Sequence, residues 1–371
     1  MTSEDLFKQI AEHHVQQLPF VVYRKPNANE VKALLQQSDE LFFTENLTEK
    51  GFVFSPFDAS EKSILLPLET AKSISAAYTV LKDDIVQQGT VASNDHERQY
   101  HIDLVKKGIE AIKDNKFKKV VLSRSEKVNL PEVNPIAIFK RLLNAYPSAF
   151  AYCWFHPQIG LWLGATPETL IKIEGNLFSI MALAGTQDYT GTLNVNWKEK
   201  EKQEQQYVTD FIVNNLRPTV EHLKVSEVET VRAGNLVHLK TVVSARLKSA
   251  TPLRQIIEVL HPTPAVCGLP KEAAKQFILK NENYNRTFYT GFLGELNMDK
   301  TAKPRSGNRN IENRAYAITK KSTQLYVNLR CMQIKGKTAI LYVGGGITES
   351  SNPESEWQET QLKSLVVKNI L

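Results

Sequence analysis

The segment KEKEKQEQQYVTDFIVNNL, residues 198–216, constrains the fold most, because its pattern places carboxylates on a face that also carries core residues. Positions spaced by three, four and seven residues share one face of an α-helix. In this segment that face carries Glu201, Glu204, Val208, Phe211 and Ile212. We therefore predict a helix whose two carboxylates point towards the protein interior.

The C-terminal segment repeats this pattern. One predicted helical face there carries Glu356, Glu359, Lys363, Val366 and Ile370. Four inward carboxylates are costly unless a cation or cationic side chains neutralise them. Mg²⁺ suits such oxygen ligands, because it takes one or two carboxylates together with water and substrate oxygens. The pattern alone leaves two interpretations open, a magnesium site and two ordinary charged helix faces.

The composition excludes several classes of protein. The chain has 371 residues, of which 42% are hydrophobic and 23% charged, as in globular proteins of one large domain or two smaller ones. A formal net charge of +6 is too small to indicate nucleic-acid binding. Three widely separated cysteines exclude a disulfide scaffold and are typical of a reducing compartment. Neither a signal peptide nor an apolar run of about 18 residues is visible, so we expect a cytoplasmic protein with no membrane partner.

Four other segments carry local predictions. Small and turn-forming residues at 89–95 predict a break in the chain. KKVVLSRSEKVNL, residues 118–130, predicts a strand. The polar, basic segment 298–322 predicts a long surface loop between two strands, whose role stays open. GGGI, residues 344–347, predicts a glycine turn after a strand, either simply flexible or able to bind an anion through its backbone.

Eight short motifs occur together and in order along the chain. They are KVVLSR (119–124), GATPETL (164–170), LAGT (183–186), KEKQEQ (200–205), HPTPAVCG (261–268), FYTG (288–291), LR (329–330) and GGGITESSNPESEWQETQLK (344–363). Each motif alone is weak evidence, but the whole set is specific. On these motifs the chain resembles, over roughly residues 95–371, the chorismate-utilising enzymes, which include isochorismate, salicylate, anthranilate and aminodeoxychorismate synthases.

The resemblance implies an α+β fold, with a single large domain built as four layers. Two antiparallel β-sheets pack together and helices cover them on the outside, an αββα arrangement. Residues 1–93 would be the motif-poor N-terminal part of this domain and 94–371 the chorismate-binding catalytic region. Chorismate would be the small-molecule partner and Mg²⁺ the cofactor; we expect a monomer that binds no nucleic acid.

The resemblance also implies an acid–base pair. Lys119 matches the general base that activates water for attack at ring C2, and Glu168 matches the general acid that protonates the leaving C4 hydroxyl. The reaction needs both because water is a poor nucleophile and hydroxide a poor leaving group. A lysine base requires a depressed pKa and a glutamic acid donor requires a raised pKa.

The two carboxylate helices match the metal site of the family. Glu204 and Glu359 correspond to the direct or near-direct Mg²⁺ ligands, and Glu201 and Glu356 to residues that support them. The metal would then bind the ring carboxylate of chorismate and polarise that end of the molecule.

The remaining site residues match positions that bind the substrate. Arg330 and Tyr289 correspond to the pair that grips the enolpyruvyl carboxylate, and Lys363 lies near the ring carboxylate. The other matched positions are Gly185, Thr186, His238, Ala265, Gly344 and Gly345. For His238 a buried structural histidine is an equal alternative to a substrate contact.

Three positions favour one branch of the family. Lys119 stands where the ammonia-using relatives carry glutamine, Ala184 where aminodeoxychorismate synthase has a nucleophilic lysine, and Ala265 where salicylate synthases have threonine. Together they favour an isochorismate synthase of the menaquinone or siderophore type. Salicylate synthase and the amination branch stay open as alternatives, and a non-catalytic nucleic-acid binder that uses residues 298–322 is a distant one.

Overall fold

Two antiparallel β-sheets dominate the structure, a computed structural model that describes residues 1–80, 95–233, 236–248, 251–301 and 319–371. The first sheet contains nine of the described strands. In spatial order they are β15 (Gly268–Leu269), β7 (Lys119–Asn129), β19 (Thr338–Ile347), β18 (Cys331–Lys335), β9 (Gly160–Thr166), β8 (Phe150–His156), β1 (Phe20–Arg24), β2 (Glu30–Gln36) and β6 (Ala71–Ala77).

The second sheet contains the other described strands. In spatial order they are β12 (Val220–Val225), β14 (Leu236–Leu247), β11 (Leu177–Asp188), β10 (Thr169–Glu174), β17 (Thr319–Val327), β16 (Phe292–Thr301), β4 (Gly51–Ser55), β5 (Ser63–Pro67) and β3 (Phe42–Thr44), with β13 (Glu229–Ala233) paired to β14. Of the N-terminal strands, β1, β2 and β6 belong to the first sheet and β3, β4 and β5 to the second. The division of the chain at residue 93 stays a prediction.

Aromatic side chains fill the space between the sheets. The rings of Phe150 in the first sheet and Tyr326 in the second are stacked with their centroids 4.0 Å apart. Phe54 in the second sheet contacts Trp154 in the first at 4.9 Å. Such pairs add about 0.5–1.5 kcal/mol each beyond the burial of their area. The two sheets therefore form one sandwich with an aromatic core.

Helices cover both outer faces of the sandwich. The helices are α1 (Ser3–Val15), α2 (Asp95–Lys113), α3 (Pro135–Ala145), α4 (Glu199–Leu216), α5 (Leu253–Leu260), α6 (Lys271–Asn281) and α7 (Pro353–Lys368). Helices α1, α2, α3, α6 and α7 pack on the first sheet, and α4 and α5 lie over the second. This confirms the predicted αββα arrangement. No helix in the described ranges is long and apolar enough to cross a membrane.

One local prediction was wrong, and two lie mostly outside the described residues. Gly344–Gly346 form no turn, because they continue β19 and pair with Ser123, Leu122 and Val121 of β7. Of the predicted loop 298–322, residues 298–301 and 319–322 pair with each other as strand instead, and residues 302–318 are not described. Of the predicted break at 89–95, only Asp95 is described, and it begins α2.

Candidate active site

A cavity lies where strands of both sheets meet α4 and α7. The space it encloses, with the open solvent at its mouth included, is about 780 Å³. The cavity brings together most of the site residues predicted from the sequence: Glu168, Gly185, Thr186, Glu204, His238, Ala265, Tyr289, Arg330, Gly344, Gly345, Glu359 and Lys363. The other three, Lys119, Glu201 and Glu356, lie directly behind this lining.

Lys119 is the first residue of β7 and its side chain is fully buried. Its Nζ lies 2.7 Å from Oε1 of Glu204 on α4. The contact is an ion pair without hydrogen-bond alignment, and Nζ has no hydrogen-bond partner among the described residues. The described residues therefore leave the hydrogen-bonding capacity of this Nζ unused.

The glycines of β19 make room for this pair. A Cβ on Gly346 would overlap Oε1 of Glu204 and lie 3.0 Å from Cε of Lys119. A Cβ on Gly344 would lie 3.1 Å from the hydroxyl of Tyr289. The absence of side chains at these glycines thus lets residues of α4 and α7 come close to β19 beside the cavity. The predicted glycine turn did not include this function.

Glu168 lies between β9 and β10, with its backbone held at both ends. Its N–H donates to Oγ1 of Thr166 at 3.3 Å, and its carbonyl accepts from the N–H of Val327 at 3.0 Å. Burial raises the pKa of its carboxyl to about 8, although the charges of Lys119 and Arg330 act against this shift. The carboxyl is therefore protonated at neutral pH, as a general acid must be.

The four carboxylates of α4 and α7 are matched by three lysines. Lys119 pairs with Glu204, Lys363 with Glu359 at 2.6 Å, and Lys200 with Glu356 at 2.5 Å. Burial acts to raise the pKa of Glu204, but the charges of Lys119, Lys200 and Lys363 hold that pKa below its ordinary value. For Glu356 burial prevails, and its pKa is raised despite Lys200.

This cluster has the oxygen donors that a hard cation needs. Oε2 of Glu201 and Oε2 of Glu356 are buried and have no hydrogen-bond partner in the described part of the chain. Within the same residues no three side chains converge as a ready-made metal cage. Mg²⁺ does not require such a cage, because it commonly binds one or two carboxylates and completes its shell with water and substrate. The residues therefore fit the predicted metal.

Arg330 and His238 form a hydrogen-bonded pair in the opposite wall. Nη2 of Arg330 lies 2.9 Å from Nε2 of His238, whose Nδ1 lies 2.8 Å from the carbonyl oxygen of Gly185. Burial lowers the pKa of Arg330 to about 10, so its guanidinium stays charged at neutral pH. Tyr289 stacks on Tyr342 with ring centroids 5.5 Å apart, which fixes its hydroxyl beside Gly344.

Several lining residues were missed by the sequence analysis. They are Val121, Pro167, Leu183, Val266, Thr290, Leu329, Tyr342, Val343 and Gly346. Lys200, which pairs with Glu356 behind the cavity, was missed too. Its position in KEKQEQ, one helical turn before Glu204, was the available signal, because residues four apart share a helix face.

The chain belongs to the family of chorismate binding enzymes. Two models of this family match it, at residues 53–304 and 316–368. An isochorismate synthase, MenF of Pasteurella multocida, is 28% identical over 282 residues, which are 72% of this chain and 60% of that protein. The matched stretch thus spans less than two thirds of this relative.

Solved structures of similar fold support the architecture. MenF from Escherichia coli, the menaquinone-specific isochorismate synthase, superposes with a TM-score of 0.74 at 20% identity, covering 96% of this chain and 89% of that one. Anthranilate synthase component I from Streptococcus pneumoniae gives a TM-score of 0.63 at 17% identity, covering 94% and 92%. Because two different activities share this fold, the fold alone does not select the reaction.

Proposed function

We propose that this protein is an isochorismate synthase, which converts chorismate to isochorismate. The observation that carries the proposal is the position of two buried groups. The carboxyl of Glu168 lines the cavity and has a raised pKa, and Lys119 lies directly behind the lining with its Nζ 2.7 Å from Glu204. The relatives named above support the choice of reaction, since the MenF proteins are named isochorismate synthases.

In this mechanism the neutral amine of Lys119 removes a proton from water as the water oxygen attacks ring C2, so Lys119 must first give up the proton that it holds in its ion pair with Glu204. The ring double bonds shift and the C4–O bond breaks, while Glu168 gives its proton to the departing hydroxyl. One water enters and one leaves, so the product is an isomer of the substrate. Acid–base assistance of this kind accelerates reactions by about 10²- to 10⁴-fold for each group.

Charged side chains orient the two carboxylates of chorismate. Arg330 offers a planar fork for the enolpyruvyl carboxylate, and the Tyr289 hydroxyl adds a donor beside it. Lys363 faces the ring carboxylate from α7, where its Nζ also donates to the carbonyl oxygen of Gly344 at 3.0 Å.

Mg²⁺ would be held by Glu204 and Glu359, with Glu201 and Glu356 as their neighbours. When bound, it supplies positive charge to the ring carboxylate and polarises that end of the substrate. The unpaired buried oxygens of Glu201 and Glu356 support this assignment.

Two small side chains support isochorismate as the final product. Ala184 and Ala265 both line the cavity and neither carries a nucleophile or a hydroxyl. Salicylate synthase and the amination branch are the alternatives, distinguished by release of pyruvate and by a requirement for ammonia. We further propose a cytoplasmic monomer; neither the menaquinone nor the siderophore pathway is favoured by the site.

Replacing Lys119 with Ala and Glu168 with Gln tests the acid–base assignment. Each variant should lose at least about 100-fold in chorismate turnover while its circular dichroism is unchanged. Lys118→Ala is the matched control, because Lys118 is the exposed neighbour of Lys119 and should leave turnover unaffected. Turnover that survives in the Lys119→Ala, Glu168→Gln double variant would contradict the proposal.

A further inference from the structure

His238 lies on β14 opposite an irregularity in its neighbour β11. Ala184 pairs with Leu239 and Gln187 pairs with Val237, so Gly185 and Thr186 together face His238 alone. Two residues opposite one define a β-bulge, which redirects the backbone and often occurs beside active sites. Gly185 has φ +72°, a left-handed conformation that favours glycine. The bulge turns the carbonyl of Gly185 towards the imidazole.

The hydrogen bonds fix the tautomer of this imidazole. A guanidinium has donors and no acceptor, so Nε2 of His238 must accept from Nη2 of Arg330 at 2.9 Å. Nδ1 then carries the proton and donates to the carbonyl oxygen of Gly185 at 2.8 Å. Burial and the charge of Arg330 lower the pKa of His238 to about 3, in agreement with a neutral ring.

Both ring nitrogens are therefore engaged within the protein. The ring is 95% buried, since only 5% of the residue is exposed. Arg330 itself is held at its backbone, where φ is +49° and the carbonyl accepts from the N–H of Ala165 at 3.2 Å. A long arginine side chain has many rotamers, and ordering it costs conformational entropy. A fixed acceptor at Nη2 removes much of that freedom before a ligand arrives.

We propose that His238 is a positioning residue for Arg330: it connects the guanidinium to the bulge carbonyl of Gly185 and so holds the guanidinium in place for a substrate carboxylate. His238 then neither transfers a proton nor binds substrate through its nitrogens. The identity of that carboxylate, the enolpyruvyl group of chorismate, rests on the proposed function. The relay, by which we mean the two hydrogen bonds that connect Arg330 through His238 to Gly185, does not depend on the proposed function.

Nuclear magnetic resonance of ¹⁵N-histidine-labelled protein tests the relay directly. The His238 ring, assigned by comparison with His238→Gln, should show a protonated Nδ1 and an unprotonated Nε2 throughout the neutral pH range. Replacing Arg330 with Met should shift the Nε2 signal, because its donor is lost. A doubly protonated ring, an Nε2–H tautomer, or signals insensitive to Arg330→Met would each overturn the proposal.

Steady-state kinetics with chorismate tests the consequence. Gln places its amide where Nε2 lies, whereas Asn reaches only as far as Nδ1, so the two substitutions separate the two hydrogen bonds. His238→Leu and His238→Asn should raise KM about 10- to 100-fold with little change in kcat, the factor expected when one hydrogen bond to a charged group is lost. His238→Gln should recover most of the affinity.

The opposite pattern would refute the positioning role. A collapse of kcat at unchanged KM in all three variants, with a limb missing from the pH–rate profile, would make His238 a proton-transfer group. Thermal unfolding of each variant verifies that the protein is folded, and His238→Gln keeps the test valid if His238→Leu is unstable. If the wild-type protein fails to turn over chorismate, the proposed function is refuted, whereas the resonance experiment still decides the relay.

Discussion

Gly346→Ala is the substitution that tests the geometry of the site most sharply. Gly346 lies in β19 with ordinary strand geometry, so alanine introduces no backbone strain there. Its new methyl group would overlap Oε1 of Glu204 and approach Cε of Lys119 to 3.0 Å. The carboxylate of Glu204 must therefore shift, which disturbs its ion pair with Lys119.

The size of the effect follows from this overlap. Moving a catalytic group by about 1 Å can reduce the rate roughly 100-fold, so we expect a loss of that order in kcat/KM. Overpacking a tight site costs about 1–3 kcal/mol of unfolding free energy, which for a chain of this length lowers Tm by only a few degrees. The variant should thus be folded and nearly inactive.

Gly345→Ala is the comparison variant on the same strand; because Gly345 also lines the cavity, we expect a smaller loss of turnover than for Gly346→Ala. The atom nearest to its new methyl group would be Oε2 of Glu356, at 3.3 Å, which is the end of a side chain and can yield. Chorismate turnover and thermal unfolding should be measured for both variants. Two results would contradict this prediction: near wild-type turnover in Gly346→Ala, or an equal loss of turnover in Gly345→Ala. Either would show that activity does not depend on the close approach of Lys119 and Glu204 to this strand.

Three other predictions concern single groups of the site. Between pH 4.5 and about 8 the folded protein keeps a proton on Glu168 that the unfolded chain has released, so the stability of the folded protein falls as pH rises through that window. The Tm of Glu168→Gln, measured by calorimetry, should therefore be higher than that of the wild type near pH 8. This difference should vanish below pH 4.5. Lys200→Met leaves the buried carboxylate of Glu356 unpaired and should cost about 3–5 kcal/mol in urea unfolding, most of which Glu356→Met should restore in the double variant. Mg²⁺ should raise the Tm of the wild-type protein, as any ligand of the native state does, but not that of the Glu204→Gln, Glu359→Gln variant.

The sequence predicted the elements whose pattern is local. The carboxylate faces of α4 and α7 follow from helical spacing, and in the structure Glu356 is buried while Glu204 and Glu359 line the cavity. The motif order also predicted which distant segments meet in one cavity. Neither prediction required a distance between residues far apart in the chain.

The predictions that failed or were missing concern features that depend on contacts between elements. A run of three glycines is typical of a turn, and only the approach of Glu204 and Lys119 from elsewhere shows why a strand should lack side chains there. His238 could not be assigned from the sequence, because its role depends on a bulge in β11 that no spacing reveals. Lys200 was overlooked since its partner lies on another helix, more than a hundred residues away.

The most direct measurement is to incubate the purified protein with chorismate and Mg²⁺, with and without ammonium, and to separate the products by chromatography. Isochorismate is expected as the single product, unchanged by ammonium and lost when EDTA removes the metal. Salicylate with pyruvate, or an aminated product that requires ammonium, would contradict it.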